Sequence, residues 1–310
     1  MIIGIDHGYG FIKTKHAVFA AGLAKFSDEP AFTKRLVEVD GSFYQVGCMP
    51  DGIAGDKTES EDYYIMTLAA IAEEMKAAAT TGAYVTLAIG VPLTRYGKEK
   101  NSLEAYLGKN SKVTFKYEGV EYKIFGIQHI YTYPQGYAAI ASRLGTIHGA
   151  CNLIDIGTGT TDISPILSDK TVDLSKARTL QLGISNCLSM VNEAVSREYQ
   201  TEIPNDVIVD LMIGNDIVLP KPVISLIEDT ISEWCEMLLK TLRQNKINYV
   251  FTQTFFAGGG ALLISKYAKN LDKENSCITF ITDIKANAIG YEMLAAVQVE
   301  KNKRKDTTGR

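Results

Sequence analysis

Residues 152–167, NLIDIGTGTTDISPIL, and residues 2–13, IIGIDHGYGFIK, follow one plan. In each, an apolar strand ends in an aspartate, a turn carries glycine at the second and fourth positions after it, and a second strand follows. The residues are Asp6, Gly8 and Gly10 in the first copy and Asp155, Gly157 and Gly159 in the second. One such turn is an ordinary glycine-rich hairpin. Two of them, heading two similar halves, indicate internal duplication. An Asp-x-Gly-x-Gly turn presents backbone N–H groups without side-chain obstruction, and such groups can surround phosphate oxygens. A carboxylate beside a phosphate cradle is repulsive unless a cation lies between them, so the pattern points to Mg²⁺ held through its retained waters.

Around the two turns lie further candidates. Lys13 stands on the strand leaving the first turn, where it is either a surface lysine or a point charge reaching back toward phosphate. Thr158, Thr160 and Thr161 offer hydroxyls, although threonine is also simply a good strand residue, and Asp162 adds a second carboxylate. The triplet Gly258, Gly259 and Gly260 follows an apolar strand and precedes the helix-prone ALLISKYA, permitting close backbone approach to a flat or bulky ligand. Neither G-x-G-x-x-G nor the Walker A pattern is present, so a nucleotide site here is of neither Rossmann nor P-loop type.

The 310 residues carry a formal net charge of −4 with 46% hydrophobic residues, enough to bury one large core or two medium ones. The slight acidity argues against direct nucleic-acid coating, while KNKRKDTTGR (301–310) reads as a short basic, disordered tail. Asp6 and His7 interrupt any signal-peptide core, and no apolar run is long enough to span a bilayer, so a cytoplasmic protein without membrane attachment is expected. The cysteines Cys48, Cys151, Cys187, Cys235 and Cys277 are scattered, never in a C-x-x-C pair, and signal neither zinc nor redox chemistry.

The organisation is α/β. Strands are expected at 1–6, 11–20, 36–40 and 42–47, the last two joined by an Asp40-Gly41 hairpin turn. A polar loop follows at 50–62, a helix at 63–79 and a buried strand in YVTLAIGVPL. A hairpin pair, KVTFKYEG and VEYKIFGIQHIYTY, leads to Pro134 and a helix-prone QGYAAIASRL. In the second half, GISNCLSMVNEAVSREY is helix-prone, and Ile224, Ile227, Ile231, Cys235, Leu238 and Leu242 recur at helical spacing as a core face beside Trp234. NYVFTQTFFA reads as the strand before the glycine triplet.

Taken in order, IGIDHGYGFIK (3–13), YPQGYAAIA (133–141), LIDIGTGTTDIS (153–164), FFAGGGALLI (255–264) and DIKANAIGYEML (283–294) resemble the phosphate 1, connect 1, phosphate 2, adenosine and connect 2 motifs of the actin, Hsp70 and sugar-kinase superfamily. Short length and the ANAIGYEML ending look most like ParM-type plasmid-segregation actins. The resemblance implies two duplicated actin-like (ribonuclease H-like) domains around a nucleotide cleft, at 1–150 with 288–310 returning to it, and at 151–287. It further implies an ATPase using ATP and Mg²⁺, self-association into filaments, and a DNA-binding adaptor that bridges to plasmid centromere DNA. By motif position Asp6 and Asp155 hold the metal through water. Gly8, Gly10, Lys13, Gly157, Thr158, Gly159 and Thr160 face phosphates, Gly258, Gly259 and Gly260 line the adenosine, and Gln135 orients the attacking water. His7 departs from the small or polar residue usual at its place. Three readings compete: a small-molecule kinase of the same fold with Asp162 as base, a cell-shape or division actin, for which the C-terminal apolar face is short, and an activator ATPase for radical dehydratases, against which the scattered cysteines speak.

Overall fold

The near-continuous apolar runs at the starts of the two halves form central strands, because a strand buried on both faces needs apolar side chains on both. The computed structural model describes residues 1–48, 61–271 and 277–308. The chain forms two compact units, Met1–Gly145 with Lys285–Arg310, and Thr146–Ile284.

Unit 1 contains strands β1 (Ile2–His7), β2 (Phe11–Lys13), β3 (Val18–Ala20), β4 (Gly22–Phe26), β5 (Leu36–Val39) and β6 (Ser42–Cys48). Helix α1 (Asp62–Ala77), strand β7 (Gly82–Val91), helix α2 (Tyr96–Gly108) and strands β8 (Val113–Tyr117) and β9 (Val120–Pro134) follow. Unit 2 contains β10 (Cys151–Ile156), β11 (Thr161–Ile166), β12 (Arg178–Leu180), α3 (Ile184–Tyr199), α4 (Asn205–Ile213), α5 (Lys221–Gln244), β13 (Thr254–Ala257), α6 (Gly259–Tyr267) and β14 (Ile278–Phe280), after which α7 (Ala286–Thr308) completes unit 1.

Among the described residues the sheet of unit 1 runs β3-β2-β1-β7-β9-β8-β5-β6-β4 and that of unit 2 runs β12-β11-β10-β13-β14. The first five strands of the larger sheet repeat the smaller one in order and sense. In each, the first chain strand pairs antiparallel with its hairpin partner on one edge and parallel with a later strand on the other. The duplication read from two turns therefore extends to the topology of both sheets.

Alternation along β1 sets the layers of unit 1. Ile3 and Ile5 join the core that contains α1, with Leu68, Ile71 and Met75. Gly4, on the other face, lies against α7: a Cβ there would run into the Ala288 carbonyl, and one at Gly290 into the Ala138 carbonyl. Helix α7 thus seats its backbone directly on neighbouring backbone, with Tyr291 and Ala295 buried beneath it. In unit 2, Cys187, Val191 and Val195 of α3 meet Ile227, Ile231, Trp234, Cys235, Leu238 and Leu242 of α5 in one core, the face its helical spacing predicts.

Several local expectations are corrected. Residues 11–20 form not one strand but the hairpin β2–β3, because Thr14 Oγ1 accepts the Ala17 N–H at 2.9 Å and turns the chain. QGYAAIASRL forms a 3₁₀ helix, Tyr137–Thr146, started by Ala139 N–H on the Gly136 carbonyl at 2.9 Å. Strand β13 is shorter than NYVFTQTFFA because Asn248 Oδ1 accepts the N–H groups of Val250 and Phe251 and holds a turn. The basic C-terminal stretch is helical through Thr308, since lysine and arginine propagate a helix already anchored by packing. Of the polar loop expected at 50–62, residues 50–60 lie outside the described residues.

Candidate functional site

Residues paired across two antiparallel strands point to one face, so register decides which side chains meet. Asp6 pairs with Lys13 across β1 and β2, and Lys13 Nζ lies 3.2 Å from Asp6 Oδ2. Asp6 is buried, at 4% exposure. Its other oxygen, Oδ1, accepts from Gln135 Nε2 at 3.4 Å. Lys13 also arches over the turn, its Nζ 3.8 Å from where a Gly8 Cβ would stand. Asp6, Gly8, Lys13 and Gln135 are therefore one cluster inside unit 1.

His7 points to the opposite face, as strand alternation requires. It is fully buried, with Nε2 2.8 Å from Thr67 Oγ1 on α1. The Thr67 hydroxyl proton is donated to the Tyr63 carbonyl at 2.6 Å, so the imidazole donates from Nε2. The residue that departs from the family pattern thus serves the junction of β1 with α1 and leaves the turn to its neighbours.

Two contacts that the sequence does not announce bear on this turn. Tyr9 sits at its tip, and its hydroxyl accepts from Arg95 Nη2 at 2.8 Å, while Arg95 Nη1 reaches Glu99 at 2.9 Å on the first turn of α2. Asn287 on α7 accepts the Gly136 N–H at 3.0 Å. Neither contact has a local motif.

The second turn has the same register, Asp155 opposite Asp162 and Ile156 opposite Thr161, with Asp162 where the first copy has Lys13. Two carboxylates facing each other repel. Asp162 is drawn toward Thr179, whose hydroxyl donates to Asp162 Oδ1 at 2.5 Å. Asp155 is buried, at 9% exposure. Gly157 donates its N–H to the Thr160 carbonyl at 2.8 Å, so that amide is spent within the hairpin. The turn is braced from α3: Ser185 N–H bonds the Thr158 carbonyl at 2.8 Å, and Gly183 lies so close that a Cβ would stand 2.6 Å from Thr160 N. Gly183 is a residue that sequence reading missed.

The glycine triplet reads differently in the structure. Gly258, with φ +78°, packs on the Asp155 carboxylate and the Ile156 carbonyl, and Gly260 packs on the Ile156 side chain. What these two glycines permit is the approach of their own chain, α6 against β10. Gly259 meets only the tip of Ile184.

Among the described residues no three His, Cys, Asp or Glu groups converge as a metal cage. A buried carboxylate beside a glycine turn, Asp6 in one unit and Asp155 in the other, suits Mg²⁺, which keeps most of its waters and takes one or two carboxylates plus phosphate oxygens. No helix among the described residues is long and apolar enough to cross a membrane.

The family model for the N-terminal domain of actin-like proteins matches residues 4–137, and that for the C-terminal domain of archaeal MreB-like actin homologues matches residues 153–270. No curated protein matches in sequence. An archaeal actin homolog is similar in structure with a TM-score of 0.76 at 19% identity, over 96% of this chain and 99% of that one. A 15-stranded ParM filament from Clostridium botulinum gives 0.74 at 20% identity, over 94% and 98%. Bacillus thuringiensis ParM with ATP gives 0.68 at 14%, over 96% and 98%. At such identities the likeness is one of fold, and it extends over nearly the whole chain. With family models matching in both units and the duplicated sheet order common to both, this chain belongs to the actin-like proteins.

Proposed function

We propose that this protein binds and hydrolyses ATP with Mg²⁺ and assembles into filaments in a nucleotide-dependent way. The observation that carries the reading is the duplicated hairpin: both units place a buried aspartate at the end of the central strand, in the same register, beside a glycine turn. The relatives whose structures were solved as a ParM filament and as ParM with ATP support assembly and nucleotide binding by this fold.

In this reading Gly8, Gly10 and Lys13 of the first turn face phosphate, with the Lys13 ammonium supplying positive charge. In the second turn, the amides of Thr158, Gly159 and Thr160 face phosphate, since that of Gly157 is committed to Thr160. Gly258, Gly259 and Gly260 line the adenosine side in this reading, the close approach of Gly258 and Gly260 to β10 fixing where their backbone stands. Asp6 and Asp155 would hold Mg²⁺ through its waters, and the ion supplies charge neutralisation of the phosphates when bound. Gln135 donates one amide hydrogen toward Asp6, which leaves its carbonyl to accept from a water. An amide cannot act as base, so its contribution is orientation of the nucleophile. Asp162 is engaged by Thr179, which weakens the rival reading of Asp162 as the base of a small-molecule kinase.

ATP shifts assembly only if it binds the assembling conformation better than the free one. The finer role, cytoplasmic segregation of plasmid DNA through a separate adaptor that binds the centromere, follows from the ParM resemblance. Sedimentation and electron microscopy of the purified protein with Mg-ATP, with a non-hydrolysable analogue and with Mg-ADP test the core of the proposal. Ordered filaments are expected with ATP and the analogue at a lower critical concentration than with ADP. Equal critical concentrations would eliminate the switch, and a particle that stays small in ATP while phosphorylating a small acceptor would establish the kinase instead.

A further inference from the structure

We propose that Asn287 is a positioning residue for hydrolysis, acting through the backbone beside Gln135. This rests on the reading of Gln135 as the residue that orients the attacking water. The side chain of Gln135 reaches Asp6 only if its own backbone is held, and that backbone is held twice. Gln135 N–H bonds the Val91 carbonyl at 2.9 Å, which fixes it to the end of β7. The next amide, Gly136 N–H, bonds Asn287 Oδ1 at 3.0 Å in a buried setting. Gly136 has φ +74°, so the chain turns sharply here, out of β9 and into the 3₁₀ helix.

Asn287 is 8% exposed and is the second residue of α7. It stands past the N-cap, the position from which a side chain accepts the helix's own first amides. Here its carbonyl oxygen is turned to a partner 151 positions away in sequence. The bond is therefore specified by tertiary structure, and helix α7 is itself pinned by Gly4 and Gly290 against backbone. Asn287 thereby transmits the rigid placement of α7 to the peptide that sets the direction of the Gln135 side chain. Without this acceptor, the Gly136 amide is orphaned in a buried place and the peptide rotates to find another partner. The Gln135 amide then swings away from the position 3.4 Å from Asp6.

The test compares Asn287→Leu, which keeps size and removes the acceptor, Asn287→Asp, which keeps an acceptor, Gln135→Ala, and the double variant Gln135→Ala/Asn287→Leu. The measurements are ATP affinity with a fluorescent analogue, single-turnover phosphate release, thermal melting and hydrogen exchange of the Gly136 amide. Asn287→Leu is expected to hydrolyse about 10- to 100-fold more slowly, the scale of a misplaced reactant, with ATP affinity within about 3-fold of the parent, since a positioning loss falls on the rate constant. Asn287→Asp should retain Gly136 protection and most of the rate. The double variant should be no slower than Gln135→Ala alone, because two changes in one chain of action are not additive. Should Asn287→Leu fail to fold, Asn287→Ala is read in its place by the same criteria. A folded variant that loses Gly136 protection yet hydrolyses at the parent rate, with Gln135→Ala slow, overturns the role of Asn287 alone. Multiplying rate losses in the double variant also overturn it, since Asn287 would then act independently. A Gln135→Ala protein that hydrolyses normally overturns the reading of Gln135 and this inference with it.

Discussion

Replacing Gly258 with alanine tests fold and site together. Gly258 has φ +78° and ψ 177°, a region of backbone space essentially restricted to glycine, and an alanine held there costs about 1–3 kcal/mol in strain. Its Cβ would stand 2.5 Å from Asp155 Oδ1 and still closer to the Ile156 carbonyl oxygen. The carboxylate can swing aside. The carbonyl belongs to β10, which is paired on one side to β11 and on the other to β13, so it has little freedom to move. Overpacking of this kind adds about 1–3 kcal/mol. The sum, roughly 2–6 kcal/mol, corresponds to a melting transition lowered by roughly 4–24 °C at about 2–4 °C per kcal/mol. The neighbouring Gly259→Ala is the control. There the Cβ meets only Ile184 Cδ1 at 3.0 Å, the mobile end of a side chain, and because Gly259 is the first residue of α6, the change in helix propensity stays below the roughly 0.5–1 kcal/mol of a helix interior. Calorimetry of both variants should show Gly258→Ala far below the parent and Gly259→Ala near it. Equal melting of the two variants would refute the argument from backbone conformation and close approach. Because the displaced group is the Asp155 carboxylate, the folded fraction of Gly258→Ala should also lose ATP hydrolysis.

Asp155→Ala should abolish Mg²⁺-dependent hydrolysis, and undiminished phosphate release would remove that carboxylate from the site. Gly290→Val should detach α7, since its Cβ would collide with the Ala138 carbonyl. Limited proteolysis should then cut the C-terminal helix before the rest of the chain, and cleavage at the parent rate would speak against the seating described. Burial pushes the hydroxyls of Tyr63, Tyr106 and Tyr133 from an ordinary pKa of 10.0 up to about 12. Their neutral forms are favoured by the fold, so the stability they contribute is whole below pH 10 and is lost as pH rises through about 12. Phenolate absorbance and circular dichroism followed together should show late-titrating tyrosines ionising as structure is lost, and full ionisation near pH 10 with the fold intact would contradict this.

The repeated Asp-x-Gly-x-Gly turn, strands β1, β7 and β10, helices α1, α3 and α5 and the apolar face of α5 were legible in the sequence, because each is written in neighbouring residues or in a period of 2 or 3.6, whereas β4, α2, β12, α4 and β14 were not read from it. From those local patterns alone came the α/β class, the duplication and the placing of Asp6 and Asp155 at strand ends. The opposition of Asp6 to Lys13 and of Asp155 to Asp162 needed register, which depends on pairing and on which face is buried. Three features belonged wholly to tertiary structure: Asn287 bonded to Gly136, Arg95 bonded to Tyr9, and Gly183 wedged beneath the second turn. Each joins residues that have no spacing rule between them. The glycine triplet shows the same limit, since a sequence states that backbone can come close there but not to what, and in the folded chain the partner of Gly258 and Gly260 is β10. Local chemistry determined the kinds of turn this protein contains, and the long-range packing of α3, α6 and α7 decided what each turn is held against, because only a folded core brings those distant groups within contact distance.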